Sequence, residues 1–180
     1  MLSRARPVEE VWRDPGLVLS QICGYPYATR LKRTVRLVGT PVYAAEGCEG
    51  PLYSSAVVKR RGEAGRRLSD LSGRVAFNAV DSLSGYVALR AWMRGRGADP
   101  AAAEWIETGS HRASLGAVAS GDCDFAAVDA VCWVLAGRHE PAAAALDVLA
   151  WTERRPGLPF ITARTRSDAE TTLIRDAITA

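Results

Sequence analysis

Histidine, methionine and phenylalanine are scarce in this chain, at two, two and three of 180 residues. Lysine occurs only at Lys32 and Lys59, so nearly all the basic character is arginine. No run approaches the roughly 18 consecutive apolar residues of a membrane span, and none is expected. Met1 to Glu10 has a basic start with no apolar stretch behind it, unlike a secretory signal. As written, the chain is expected in the cytoplasm, or in the periplasm if the true start lies upstream. The four cysteines, Cys23, Cys48, Cys123 and Cys132, show no C-x-x-C spacing and no histidine at zinc-ligand spacing. No metal and no other cofactor is expected. Cys23 and Cys48 stand in similar glycine-flanked contexts that would suit neighbours in space, and in the cytosol both would stay reduced. G-x-S-x-G, Walker and H-E-x-x-H patterns are all missing, which removes the commonest hydrolase, nucleotide and metalloprotease signatures. The net charge of +3 is modest. A basic cluster at Arg30, Lys32, Arg33 and Arg36 has no interleaved stacking aromatics, so it reads as a solvated face, and no nucleic-acid partner is expected.

What is there is a globular composition, 48% hydrophobic and 24% charged, in a chain long enough to bury a core. Asp14-Pro15-Gly16 interrupts a short helical start. Gly16–Ile22 reads as a strand, and Cys23-Gly24-Tyr25-Pro26-Tyr27 as the loop after it, facing either a ligand or the core. Further strands are expected at Val35–Tyr43, Ser54–Lys59, Gly73–Phe77, Asp124–Asp129, Val148–Thr152 and Pro159–Ala163. Arg60–Asp70 reads as an exposed turn and short helix. Helices are expected after Gly85, after Ser110, from Val131 to Ala136 with Gly137 as a breaker, and after Ser167, where Glu170 completes a capping box. Pro100 starts a separate piece from Ala101 to Ile106. The last helix repeats Ala169, Leu173 and Ala177 beside Ile174 and Ile178. Alternating strands and helices predict an α/β fold with largely parallel strands.

Two helix starts carry the chemistry. Asp81-Ser82-Leu83-Ser84-Gly85 offers two hydroxyls and a glycine through which a ligand can approach the backbone. Thr108-Gly109-Ser110-His111 repeats the design and adds an imidazole. The first N–H groups of a helix lack intrahelical partners and lie at the positive end of its dipole, so such a place suits phosphate, phosphonate, sulfate or carboxylate. Ordinary N-capping accounts for Ser-x-Ser-Gly equally well in isolation. His111 by itself also fits a structural histidine, and Asp129, at a strand end, a plain helix cap.

Gly73-Arg74-Val75-Ala76-Phe77-Asn78, Asp81-Ser82-Leu83-Ser84-Gly85-Tyr86, Gly109-Ser110-His111-Arg112-Ala113-Ser114, Gly121-Asp122-Cys123-Asp124 and Ala126-Ala127-Val128-Asp129 follow one another in a familiar order. With Asp14-Pro15, Leu19–Pro26 and Gly157–Thr162, they resemble the phosphate/phosphite/phosphonate substrate-binding proteins of ABC transporters, across about Val11 to Ile178. The resemblance implies a type 2 periplasmic-binding-protein fold: two α/β lobes closing on a ligand cleft. The first lobe would comprise 1–52 and 147–180 and be incomplete, and the second 53–146. Ser82, Leu83, Ser84, Gly85, Ser110 and His111 would hold the anion, Tyr25 and Tyr53 would face the ligand, and Asp129 would read its remainder. Leu83 stands where family members often have threonine, which removes one hydroxyl. Family members normally begin with a strand, helix and strand before the Asp14-Pro15 segment. A first lobe without them would expose apolar surface for a partner or a homodimer to cover. The expected activity is capture of a small oxyanion for an ABC transporter permease, with no chemistry performed. The alternatives are an enzyme using His111, Asp129 or a cysteine, and a cytosolic sensor on the same scaffold.

Overall fold

Valine- and alanine-rich runs supply the centre of the larger of two units into which the chain divides, Val42–Arg155; the smaller is Met1–Pro41 with Pro156–Ala180. The computed structural model describes residues 6–62 and 73–179. The turn and short helix expected at Arg60–Asp70 therefore lie mostly outside the described residues. The smaller unit opens with α1 (Val8–Trp12), β1 (Ser20–Gln21), α2 (Gly24–Pro26) and β2 (Val35–Gly39). The larger holds β3 (Cys48–Glu49), β4 (Leu52–Tyr53), β5 (Ser55–Arg60), β6 (Arg74–Phe77), α3 (Ala88–Gly95), β7 (Glu104–Glu107), α4 (His111–Ser120), β8 (Phe125–Asp129), α5 (Ala130–His139) and β9 (Leu146–Trp151). β10 (Arg155–Pro156) falls at the boundary, and β11 (Phe160–Ala163) and α6 (Asp168–Thr179) return to the smaller unit.

The sheet of the larger unit has the order β7-β6-β8-β5-β9. β6 is parallel to β7 and to β8, while β5 is antiparallel to both β8 and β9. The expected parallel arrangement thus holds for four strands, with β5 inserted against them. β5 departs because it enters from the β3–β4 hairpin rather than through a crossover helix, which parallel neighbours require. In consequence β6, β7, β8 and β9 all end on the edge of the sheet where β5 begins. Side chains alternate between two cores, as the two-residue strand period demands. Ala56, Val58, Ala76, Ala126 and Val128 pack with Leu115 and Val118 of α4 and Ala136 of α5. Val57, Val75, Phe125 and Ala127 pack with Leu89, Trp92 and Met93 of α3. The result is a sheet with a helix layer on each face.

Two elements of this unit differ from expectation. The piece after Pro100 is one short turn followed by strand β7, because Trp105 and Ile106 pair with Val75 and Ala76. Helix α5 continues through Gly137 to His139; glycine in a helix costs only ~1 kcal/mol, and the chain turns at Pro141 instead.

In the smaller unit β11 lies between β1 and β2, antiparallel to both. Trp12, Leu17, Ile22, Leu31, Val35, Ile161 and Ala163 form its core. After the extended Cys23, the segment is helical rather than a loop: α2 runs into a wide π-type turn at Tyr27–Leu31. Pro26 is tolerated there because the first helical turn needs no N–H from it. Ser167 and Glu170 form the expected capping box, with Ser167 N donating to Glu170 Oε2 at 2.8 Å and Glu170 N to Ser167 Oγ at 3.2 Å. The face of α6 that the sequence assigns to the core is outward, with Leu173 68% exposed. Thr171 is buried instead, and Arg175 Nε donates to Val38 O on β2 at 2.7 Å.

Candidate functional site

β6 delivers Asn78 to the sheet edge, and the chain turns through Ala79–Asp81 into Ser82. Ser82 Oγ accepts from Gly85 N at 3.1 Å, and its carbonyl accepts from Val87 N at 3.0 Å. That five-residue spacing opens a π-type turn over Leu83–Val87 ahead of α3, a feature frequent at functional sites. Ser82, Ser84 and Gly85 are buried, and Leu83 is half-buried. A Cβ on Gly85 would lie 1.9 Å from Asn78 Oδ1 and 3.3 Å from His111 Cε1, so any larger residue there would force Asn78 to move. Beneath the turn, Phe77, Tyr86 and Trp105 pack ring to ring, and Arg90 lies over Tyr86 and Trp105.

The second helix start is lashed to the first. Thr108 N donates to Phe77 O at 2.8 Å, which ties the end of β7 to the end of β6. Ser110 then caps α4, its Oγ accepting from Ala113 N at 3.1 Å. His111, the first residue of α4, lies with Nε2 3.0 Å from Ser84 Oγ. The ring is partly exposed, but Nδ1 is buried and has no hydrogen-bond partner among the described residues. One side of the ring borders a hollow of about 200 Å³ whose walls include Leu115, Cys132, Leu135 and Ala136. Burial pushes the imidazole down from 6.5 to about 4, so His111 is neutral at pH 7.

Asp129 closes β8 at the same edge, and the Leu83–Val87 turn packs against that strand. Its Oδ1 accepts from Val131 N at 2.8 Å and Cys132 N at 3.0 Å, capping α5. Oδ2 is buried with no hydrogen-bond partner among the described residues, and burial raises the carboxyl above its ordinary range. Burial, reinforced by the Asp129 charge, pushes the Cys132 thiol up to about 12, so Cys132 is no thiolate nucleophile. All four cysteines are free. Tyr53 is buried, paired with Cys48 across the hairpin, two residues before Ser55, which faces Asp129 in the register.

Of the residues singled out from the sequence, Ser82, Ser84, Gly85, Ser110 and His111 therefore form one cluster. Asp129 and Tyr53 share its edge of the sheet. Tyr25 belongs to the smaller unit, on α2, and is 37% exposed. Asn78 escapes the sequence reading, although a polar residue directly after a buried strand is the same signal that marks Asp129. Its Oδ1 is buried and without a partner among the described residues.

Ser84 and His111 have the spacing of a nucleophile and its base. Among the described residues there is no third group to orient the base, since Nδ1 has no hydrogen-bond partner there. Among the described residues, the cluster contains no lysine or arginine. Arg112, on the next residue, is 78% exposed and paired with Glu140 at 2.8 Å. What the arrangement offers an anion is neutral donors: hydroxyls, backbone N–H groups and one uncharged imidazole.

An α/β sheet with convergent helix starts at its carboxyl edge, in a chain that also holds an antiparallel-paired unit, defines the class: the type 2 periplasmic-binding-protein fold. Solved structures share it. The binding protein component of an ABC phosphonate transporter from Pseudomonas aeruginosa matches at TM-score 0.74 and 19% identity, over 94% of this chain and 58% of that one. A Xanthomonas citri protein bound to chloride ion matches at 0.70 and 16%, over 94% and 65%. PhnD1 from Prochlorococcus marinus in complex with methylphosphonate matches at 0.77 and 16%, over 95% and 68%. This chain thus spans less than two-thirds of the first two. No curated protein matches the sequence. A family model matches residues 19–180, and the chain belongs to that family: ABC transporter, phosphonate, periplasmic substrate-binding protein. It is a family of transport proteins rather than of enzymes.

Proposed function

We propose that this chain is a substrate-binding protein that captures a small oxyanion of the phosphate, phosphite or phosphonate type and presents it to an ABC-type permease in the periplasm. The observation that carries the reading is the 3.0 Å contact between Ser84 Oγ and His111 Nε2. It joins two helix starts whose contacting residues lie 27 positions apart, which supports reading them as one site. In the tautomer that suits an anion, the Nε2 hydrogen is given to Ser84 Oγ, and the serine proton is free to point at the ligand oxygen. Nδ1 is then a bare lone pair. Backbone N–H groups of the two helix starts complete the oxyanion cradle, with Ser82 and Ser110 holding the turns in shape. The two units correspond on this reading to the two lobes of the fold, and Tyr25, Tyr53 and Asp129 contribute to the remainder of the ligand site. Leu83 contributes its backbone alone.

The binding reading includes the absence of turnover. The Ser84–His111 pair favours an acyl- or phosphoryl-transfer enzyme only if something orients His111, and its unpartnered Nδ1 speaks against that. Calorimetry with phosphate, phosphite, methylphosphonate and aminoethylphosphonate tests the proposal. Saturable binding to at least one, without product formation, is the expected result. A folded protein that binds none of the four contradicts it, and turnover lost on His111→Ala would make the chain an enzyme.

A further inference from the structure

The basic cluster at Arg30–Arg36 is divided by the fold. Arg30 pairs with Glu9 at 3.5 Å, whereas Lys32 and Arg36 line a hollow of about 440 Å³ within the smaller unit. Arg164, just after β11, and Arg175, on α6, line it too, as does Thr172. Four cations meet one carboxylate there, Asp168, which pairs with Arg36. The whole chain carries only +3, so this hollow alone accounts for the excess and the remaining charges nearly balance.

The four cations are not equally committed. Arg175 is held through Nε by the Val38 carbonyl, a bond that fixes the side chain and leaves its charge unneutralised. Lys32 and Arg164 have no side-chain hydrogen bond or ion pair among the described residues. Like charges gathered around one concavity repel, and a multivalent anion relieves that repulsion. Guanidinium forks match phosphate oxygens two at a time. The volume falls within the ~300–1,000 Å³ of small-ligand sites, more than a single tetrahedral anion fills.

We propose that the smaller unit binds a condensed phosphate chain in this hollow, held by Lys32, Arg36, Arg164 and Arg175 with the Thr172 hydroxyl. The site is separate from the cluster at Ser84 and His111 and does not depend on it. The chain of phosphates is the common chemistry, whether free or carried by a nucleotide.

Calorimetry on the whole chain with tripolyphosphate, ATP and orthophosphate tests this. Tripolyphosphate is expected to bind, with orthophosphate weaker by about tenfold or more. Equal affinity for ATP assigns recognition to the phosphate chain alone, and tighter ATP binding adds contacts to the nucleoside; both support the site. The double substitution Lys32→Glu with Arg164→Glu is expected to weaken tripolyphosphate roughly a hundredfold, with a melting temperature that does not fall, because neither side chain has a partner to lose among the described residues and the like-charge repulsion is relieved. Should that variant not fold, Lys32→Gln with Arg164→Gln probes the same contacts. Ser84→Ala is expected to leave tripolyphosphate binding intact, which separates this site from the oxyanion site. Absence of tripolyphosphate binding, an affinity untouched by either double variant, or an equal loss on Ser84→Ala would overturn the proposal.

Discussion

At His111 a single imidazole joins the two helix starts, and its titration reports on that junction. Above pH 6.5 it is neutral in both folded and unfolded chains. Between 6.5 and about 4 the unfolded chain takes up a proton that the buried ring resists, so stability falls as pH drops through that window. His111→Gln keeps a hydrogen-bonding side chain and removes the titration. Thermal melts of both proteins from pH 7 to 4 should show the native chain losing stability relative to the variant; parallel curves would contradict the burial of this ring. Gly85 is the second residue that admits little change. Gly85→Ala drives a methyl into Asn78 and is expected to cost about 1–3 kcal/mol, read by denaturant unfolding, and to abolish oxyanion binding. The serines and His111 were legible in the sequence because capping chemistry is local: a hydroxyl and the N–H groups it serves are three residues apart. The approach of Asn78 to Gly85 was not, since six residues separate them and only the folded turn brings them together.

Among the elements, α4 depends on its cap and the sheet on its buried strands. Ser110→Ala removes the bond to Ala113 N and should cost about 1 kcal/mol. Phe125→Ala empties a fully buried site beneath α3 and should cost about 3–5 kcal/mol. Chemical denaturation measures both, and the order of the two effects distinguishes a surface cap from the core. Strands β6, β8, β9 and β11 could be read from apolar runs alone. β7 was hidden because Ala101–Ala103 before it favour helix, and its identity rests on pairing with β6. The reversed direction of β5 has no local signature, since period-two burial looks the same in either direction. The outward face of α6 shows the same limit: helical periodicity finds an apolar stripe, but packing on β2 chose Thr171 over Leu173.

For the whole molecule, the family match and the fold place the chain in the family of phosphonate periplasmic substrate-binding proteins, and under the proposed function its neutral donors hold the anion. A ligand that binds only the folded state must stabilise it. At a hundred times its dissociation constant the gain is about 2.7 kcal/mol, or roughly 5–10 °C in a chain of this size. Thermal melts with the tightest ligand of the oxyanion panel should show that rise, and Ser84→Ala should reduce it. The loss of one hydrogen bond to a charged oxygen, about 1.5–3 kcal/mol, weakens binding roughly ten- to a hundredfold.

The most direct measurement is NMR shift mapping during a methylphosphonate titration. The His111 imidazole and the backbone amides of residues 84–86 and 111–113 should move together, along one saturation curve. A folded protein in which either helix start stays still, or in which the two follow different curves, would show that they do not form a common oxyanion site.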